Sequence, residues 1–317
     1  VSARVSRRAV LAGVAPLLAL AAASSPDRTG AALQNAPDRT GAALHEAPDR
    51  TGALQDAPDR TGALQDARVT TAGPSGTGMA AEPWPGETRA VPGARSLVLG
   101  HVRGHRADPA LLRDLAHRAD AAAARVSAVL RTPVRPLVLV PATSAEAARL
   151  AGVTDVEGLA ALADGGRVIV VPEAFGRLTD VGRDVVLAHE LTHVAAGTGG
   201  LPPWLYEGFA DYVAYRDAGL AVPVAAAELA AEVRAGRTPG RLPGAADFAP
   251  GSSRLAAVYQ EAWLACRFVA EWRGEETLVR LYRDARTRGA ARALAAAGLP
   301  IARLTAGWRA YVREKLA

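Results

Sequence analysis

The run VVLAHELTHVAA, residues 185–196, sets two histidines and one glutamate inside an otherwise uncharged stretch, and no other segment constrains the fold as strongly. Residues four apart share one face of an α-helix, so a helix here brings His189 and His193 side by side. Its boundaries are legible. Thr179 or Asp180 caps the start, Asp184 sits in the first turn, and Gly197 ends it. Val186, Leu187, Leu191, Thr192, Val194 and Ala195 carry no charge, as expected of a helix buried beneath a site. A surface helix with two unrelated histidines would tolerate charge at these positions.

Two imidazoles on one face can reach a single metal ion, with Glu190 beside the first and within reach of a metal-polarised water. A catalytic zinc usually takes three protein ligands and keeps one position open. A third histidine six residues on is excluded, because Ala196 and Gly199 stand where that longer motif needs glycine and histidine. Cysteine is excluded too, since Cys266 is alone. The next candidate lies in PPWLYEGFADY, residues 202–212. Prolines suit a helix start, and Glu207 follows about one turn in, a carboxylate amid apolar and aromatic neighbours. Gly208 is expected to let this helix approach the first closely. The short linker holding Gly197, Gly199 and Gly200 suits an antiparallel helix pair.

HELTH followed by PPWLYEGFADY resembles the gluzincin metallopeptidases, in particular the peptidase MA-like branch with its P-x-W-x-x-E-G-x-A-x-Y pattern. The resemblance implies a zincin-like domain, one Zn2+ held by His189, His193 and Glu207, and Glu190 as general base. It also implies a carboxylate that hydrogen-bonds a ligand histidine, for which Asp211, four residues after Glu207, is placed; Asp211 reads equally as a helix-surface acid. Such enzymes often carry a downstream tyrosine that stabilises an oxyanion. Tyr259 is the candidate catalytic residue for that role, against a core-packing reading, with Tyr206, Tyr212 and Tyr215 as alternatives. The strand over 167–171, just before the histidine helix, is the expected edge on which an extended peptide pairs.

Other residues read more plainly. Cys266 falls on an apolar helical stripe and is expected to be a buried small hydrophobe. His101, His105 and His117 lack ligand spacing and are expected at the surface. Glu173 reads as a turn acid, with a cleft-lining role as its alternative.

Before the site, the chain alternates: a strand over 96–102, a helix over 109–130, a strand over 136–140, a helix over 144–151 and the strand over 167–171. Beyond Thr179 the pattern is helical. Strands first and helices later give an α+β class, a small N-terminal mixed sheet followed by a mostly helical C-terminal half. Residues 95–317 form this domain. Residues 24–94 read as a linker containing tandem PDRTGA(A)L copies over 26–67, whose ten- and eleven-residue periods are too short for solenoid units. A flexible spacer and a wall- or partner-binding array are the two readings of the repeat. Residues 1–23 have the arrangement of an export signal: Arg4, Arg7 and Arg8, then an apolar run, then small residues. Both the general secretory and twin-arginine routes fit, an uncleaved anchor is the alternative, and a start at Met79 would remove the segment.

The 317 residues carry 37 basic and 32 acidic side chains, and Lys315 is the only lysine. Without the three arginines of the leader the formal charge of +5 falls to +2, which leaves little basis for nucleic-acid binding. The expectation is therefore a secreted or extracytoplasmic zinc-dependent hydrolase acting on a peptide or protein substrate. It would be a monomer without a membrane anchor after signal cleavage. A zinc-stabilised binding or scaffold protein of the same fold, without turnover, is the alternative.

Overall fold

A computed structural model describes residues 83–103 and 108–317. The leader, the tandem repeats and His105 lie outside these residues. Among the described residues the architecture is mixed α/β, with five strands and eleven helices.

The strands are β1 (Thr88–Pro92), β2 (Leu97–His101), β3 (Leu137–Val140), β4 (Ala161–Asp164) and β5 (Arg167–Val170). They form one sheet in the order β1-β2-β3-β5-β4, parallel through its centre and antiparallel at both flanks. Parallel neighbours need a long crossover, and helix α1 (Pro109–Leu130) supplies it between β2 and β3. Asp108 caps α1 by accepting the Ala110 N–H at 2.9 Å. The buried face of α1 is largely alanine, with Ala116, Ala119, Ala122 and Ala123 between Leu112, Leu115 and Val126. Small side chains let it lie close to its neighbours, which suits a chain whose aromatic content is 5%.

Two short helices, α2 (Ser144–Ala151) and α3 (Pro172–Gly176), flank the β4–β5 hairpin. The helical half follows: α4 (Asp180–Ala196), α5 (Pro203–Tyr215), α6 (Val222–Ala225), α7 (Ala227–Arg234), a 3-10 turn (Ala245–Phe248), α8 (Leu255–Arg273), α9 (Glu275–Arg288), α10 (Ala290–Ala296) and α11 (Ile301–Leu316). Helix α4 packs between α1 and α5, and α5 packs on α8. The largely buried guanidinium of Arg118 on α1 ties down the start of α4, reaching Asp180 at 2.6 Å and Asp184 at 2.7 Å. Among the described residues, no helix is long and apolar enough to cross a membrane.

Four expectations are corrected. The fold starts before Arg95: β1 lies within the stretch read as linker, and the buried Trp84 indole donates to Glu146 at 2.7 Å. His101 is buried rather than at the surface. It stacks on Trp84 with ring centroids 5.0 Å apart, and its nitrogens meet Glu146 at 2.8 Å and Glu87 at 3.1 Å. Strand β5 is internal to the sheet; the edge beside the histidine helix is β4, which the sequence reading missed. Gly208 does serve a close approach, but to α8 rather than α4. A Cβ there would lie 2.1 Å from the Ala262 carbonyl oxygen and 3.0 Å from Cys266 Sγ. His117 is exposed and Cys266 buried, as expected.

Candidate metal centre

Helix α4 runs as its sequence directs. Thr179 Oγ1 accepts the Gly182 N–H at 3.1 Å, and the Gly197 N–H closes the last turn on the His193 carbonyl at 2.9 Å. Side chains from α9 hold that end: Tyr282 donates to the Gly197 carbonyl at 2.6 Å and Arg286 to the Ala196 carbonyl at 2.5 Å. Helix α5 begins at Pro203 after an extended Pro202, and carries Glu207 and Asp211 one turn apart on its face toward α4.

Three donor atoms converge between the two helices. His189 Nε2 lies 3.0 Å from His193 Nε2 and 3.2 Å from Glu207 Oε2, which is 3.3 Å from His193 Nε2. All three side chains are buried. This group could hold a metal ion. Tetrahedral coordination with metal–ligand bonds of 2.0–2.1 Å separates neighbouring donors by about 3.3 Å, so the triangle has the right size. The chemistry of the set fits as well, two imidazoles and a carboxylate, with neither Glu207 oxygen in a hydrogen bond among the described residues.

Asp211 fixes the orientation of the first histidine. Its Oδ1 lies 2.8 Å from His189 Nδ1, so with a metal ion at the triangle that nitrogen would keep its proton and Nε2 would present a lone pair. His193 Nδ1 has no hydrogen-bond partner among the described residues. The His193 ring meets His189 edge-on at 4.6 Å and Tyr206 at 5.9 Å.

Glu190 is fully buried, and neither of its oxygens has a hydrogen-bond partner among the described residues. Burial pushes its pKa up to about 8, opposed by His189 and reinforced by Glu207. The Ala163 backbone on β4 also faces it and opposes part of the rise, although no hydrogen bond to the carboxylate is formed. Burial works against charge on His189, yet Asp211, Glu207 and Glu190 outweigh it and raise its pKa well above 6.5. For His193 burial prevails over Glu207 and the pKa falls. Burial likewise raises Asp211 against the pull of His189. Glu207 goes the other way: burial is overcome by His193 and His189, and its pKa is lowered. A metal ion bound here would displace the shared protons of this array.

The tyrosine alternatives separate. The Tyr212 hydroxyl donates to Glu275 at 2.7 Å, and Tyr215 packs on Trp263 at 4.9 Å. Tyr206 lies against His193. The Tyr259 hydroxyl is buried without a hydrogen-bond partner among the described residues; burial raises its pKa well above 10, with Glu207, Asp211 and Glu190 adding to the rise. Phe248, which the sequence reading did not single out, holds the Tyr259 ring edge-on at 5.1 Å. Glu173 accepts a hydrogen bond from Ser144 at the start of α2, consistent with a local structural acid.

Strand β4 was detectable in principle. Gly165 and Gly166 both take positive φ between the paired Asp164 and Arg167, the signature of a two-residue hairpin turn. Alanine-rich ALAD gave no β-branched signal to mark the strand itself. No protein-family model matches the chain, and no curated protein matches it.

Proposed function

We propose that this chain is an exported zinc-dependent hydrolase of zincin-like fold that cleaves peptide bonds. One observation carries the reading. A buried triangle of His189, His193 and Glu207 donors stands beside Glu190, a buried acid with no hydrogen-bond partner among the described residues. Burying an acidic group without a hydrogen-bond partner destabilises a fold, and groups held in that state cluster at functional sites.

Bound at the triangle, zinc would polarise the scissile carbonyl and lower the pKa of a water. Glu190 would take the proton from that water and later deliver it to the leaving amine. Asp211 keeps His189 in the tautomer that leaves Nε2 free. The Tyr259 hydroxyl is the donor available to a developing oxyanion. Substrate would lie extended along β4. Val171 N–H bonds the Ala160 carbonyl at 2.8 Å, so by antiparallel alternation residues 160 and 162 turn their backbone groups to β5. Ala161 and Ala163 then turn theirs outward along the edge, and Ala163 is the residue facing Glu190.

The test is Glu190→Gln. It should retain one zinc per chain by elemental analysis and lose turnover of a peptide library that the wild type cleaves in a chelator-sensitive manner. A variant that digests the library at the wild-type rate rejects the mechanism; a wild type that binds zinc but cleaves nothing favours a binding role.

A further inference from the structure

Away from the metal centre, two adjoining cavities meet at the segment between α1 and β3. One, of about 450 Å³, is lined by Arg95, Arg131 and Arg135 together with Ser127 and Thr132. The other, of about 340 Å³, shares residues Thr132, Pro133, Val134 and Arg135 and extends over apolar surface at Val194, Val279 and Tyr282. Among the described residues no carboxylate side chain lines either cavity, although Asp120 accepts the backbone N–H groups of the lining residues Ala94 and Arg95. That is a departure for a chain in which acids nearly match bases in number.

The arginines here differ in how far they are already committed. Arg283 and Arg286, in the second cavity, donate to the Leu130 and Ala196 carbonyls and so cap the ends of α1 and α4. Arg95 and Arg135 are exposed, and neither guanidinium has a hydrogen bond or ion pair among the described residues. Arg131 has only a solvent-exposed pair with Glu276, an interaction water and salt largely neutralise. Its backbone is also distinctive. Arg131 is the one non-glycine residue with positive φ among the described residues, at the C-cap of α1 where glycine is the usual occupant. Ser127 Oγ accepts the Val134 N–H at 3.0 Å, which leaves its hydroxyl proton to donate.

We propose that Arg95, Arg131 and Arg135 form a binding site for a phosphate-bearing ligand. Guanidinium forks match phosphate oxygens in pairs, and a multiply charged anion can engage several of them at once. The neighbouring cavity mixes arginines with apolar side chains at Val194 and Val279, and that apolar part offers room for a hydrocarbon portion if the phosphate belongs to an amphiphile. This site is separate from the proposed catalytic centre and does not depend on the hydrolase reading.

Titration calorimetry on the full chain tests it with two probes, pyrophosphate and dodecyl phosphate. Saturable binding is expected, weakened at least tenfold by Arg95→Ala/Arg135→Ala and unchanged by Arg113→Ala, an exposed arginine of α1 outside both cavities. Circular dichroism verifies the fold of each variant. Tighter binding of dodecyl phosphate identifies an amphiphile as the source, and binding no tighter than pyrophosphate identifies a free phosphate. Absence of saturable binding by both probes overturns the proposal. So does binding that survives intact in the double variant, as phosphate captured at the metal centre would.

Discussion

Asp211 Oδ1 sits 2.8 Å from His189 Nδ1, with both side chains buried, and it comes from the same helix that delivers Glu207 one turn earlier. One helix therefore supplies both a candidate ligand and the group that orients another. Replacing Asp211 by Ala frees the His189 ring to adopt the other tautomer or rotate. Zinc affinity should fall about 10–100-fold, as for other carboxylates that support a ligand histidine. Competition with a chromophoric chelator measures this. An unchanged affinity would reduce Asp211 to a packing residue.

Removing a ligand should be more severe than loosening one. Glu207→Ala should lose stoichiometric zinc in elemental analysis, while circular dichroism shows the helices retained. Retained zinc at one per chain would exclude Glu207 from the coordination set.

Tyr259→Phe deletes one buried hydroxyl, unpartnered among the described residues, and keeps the ring against Phe248. Loss of an oxyanion donor lowers kcat by a factor on the order of 10²–10³ with KM little changed. Thermal stability should stay level or rise, because no hydrogen bond is lost among the described residues. Wild-type kcat in this variant would return Tyr259 to the core and leave Tyr206 as the candidate.

Gly208 marks where α5 meets α8, and its missing side chain is a packing requirement. A Cβ 2.1 Å from a backbone carbonyl oxygen cannot be relieved by a side-chain rotation. Gly208→Ala should therefore destabilise the fold by about 1–3 kcal/mol in urea unfolding. Zinc affinity should fall with it, because moving α5 moves Glu207.

His101 and Glu146 give stability a pH window. Burial alone would lower the His101 pKa, but Glu146 and Glu87 outweigh it and raise the value above 6.5. Protonated His101 thus contributes fully below about pH 6.5 and loses its contribution as pH rises through the folded value. Glu146 has the opposite sign. Burial raises its pKa, but His101, the Ala142 N–H and Trp84 lower it below 4.5. Its contribution is present above about pH 4.5 and lost as pH falls through the folded value. Urea unfolding of the wild type minus His101→Gln should show the largest difference between about pH 4.5 and 6.5. A difference that does not vary with pH would rule out the ionic character of this cluster.

The helix carrying His189, Glu190 and His193 was legible residue by residue, down to Thr179 and Gly197 at its ends, because helical periodicity and capping are local properties. The start of the Glu207 helix at Pro203 was legible for the same reason. What the sequence could not decide was every relation between segments distant in the chain. That the histidine and glutamate donors come within 3.0–3.3 Å of one another depends on how α4 and α5 pack. The role of Gly208 was legible as a close approach, but its partner, Ala262 on α8, is 54 residues away and carries no local mark. Strand β4 is an edge only because β5 pairs with β3 on its other side, a pairing that no pattern within ALADGGRVIV contains. His101 looked like a surface histidine because its partners Trp84 and Glu146 lie 17 and 45 residues away and are brought together by the sheet. Local sequence determined which helices form and which side chains share a face. Tertiary packing alone decided which carboxylate meets which imidazole, because burial and distance are set by the neighbours a segment acquires on folding.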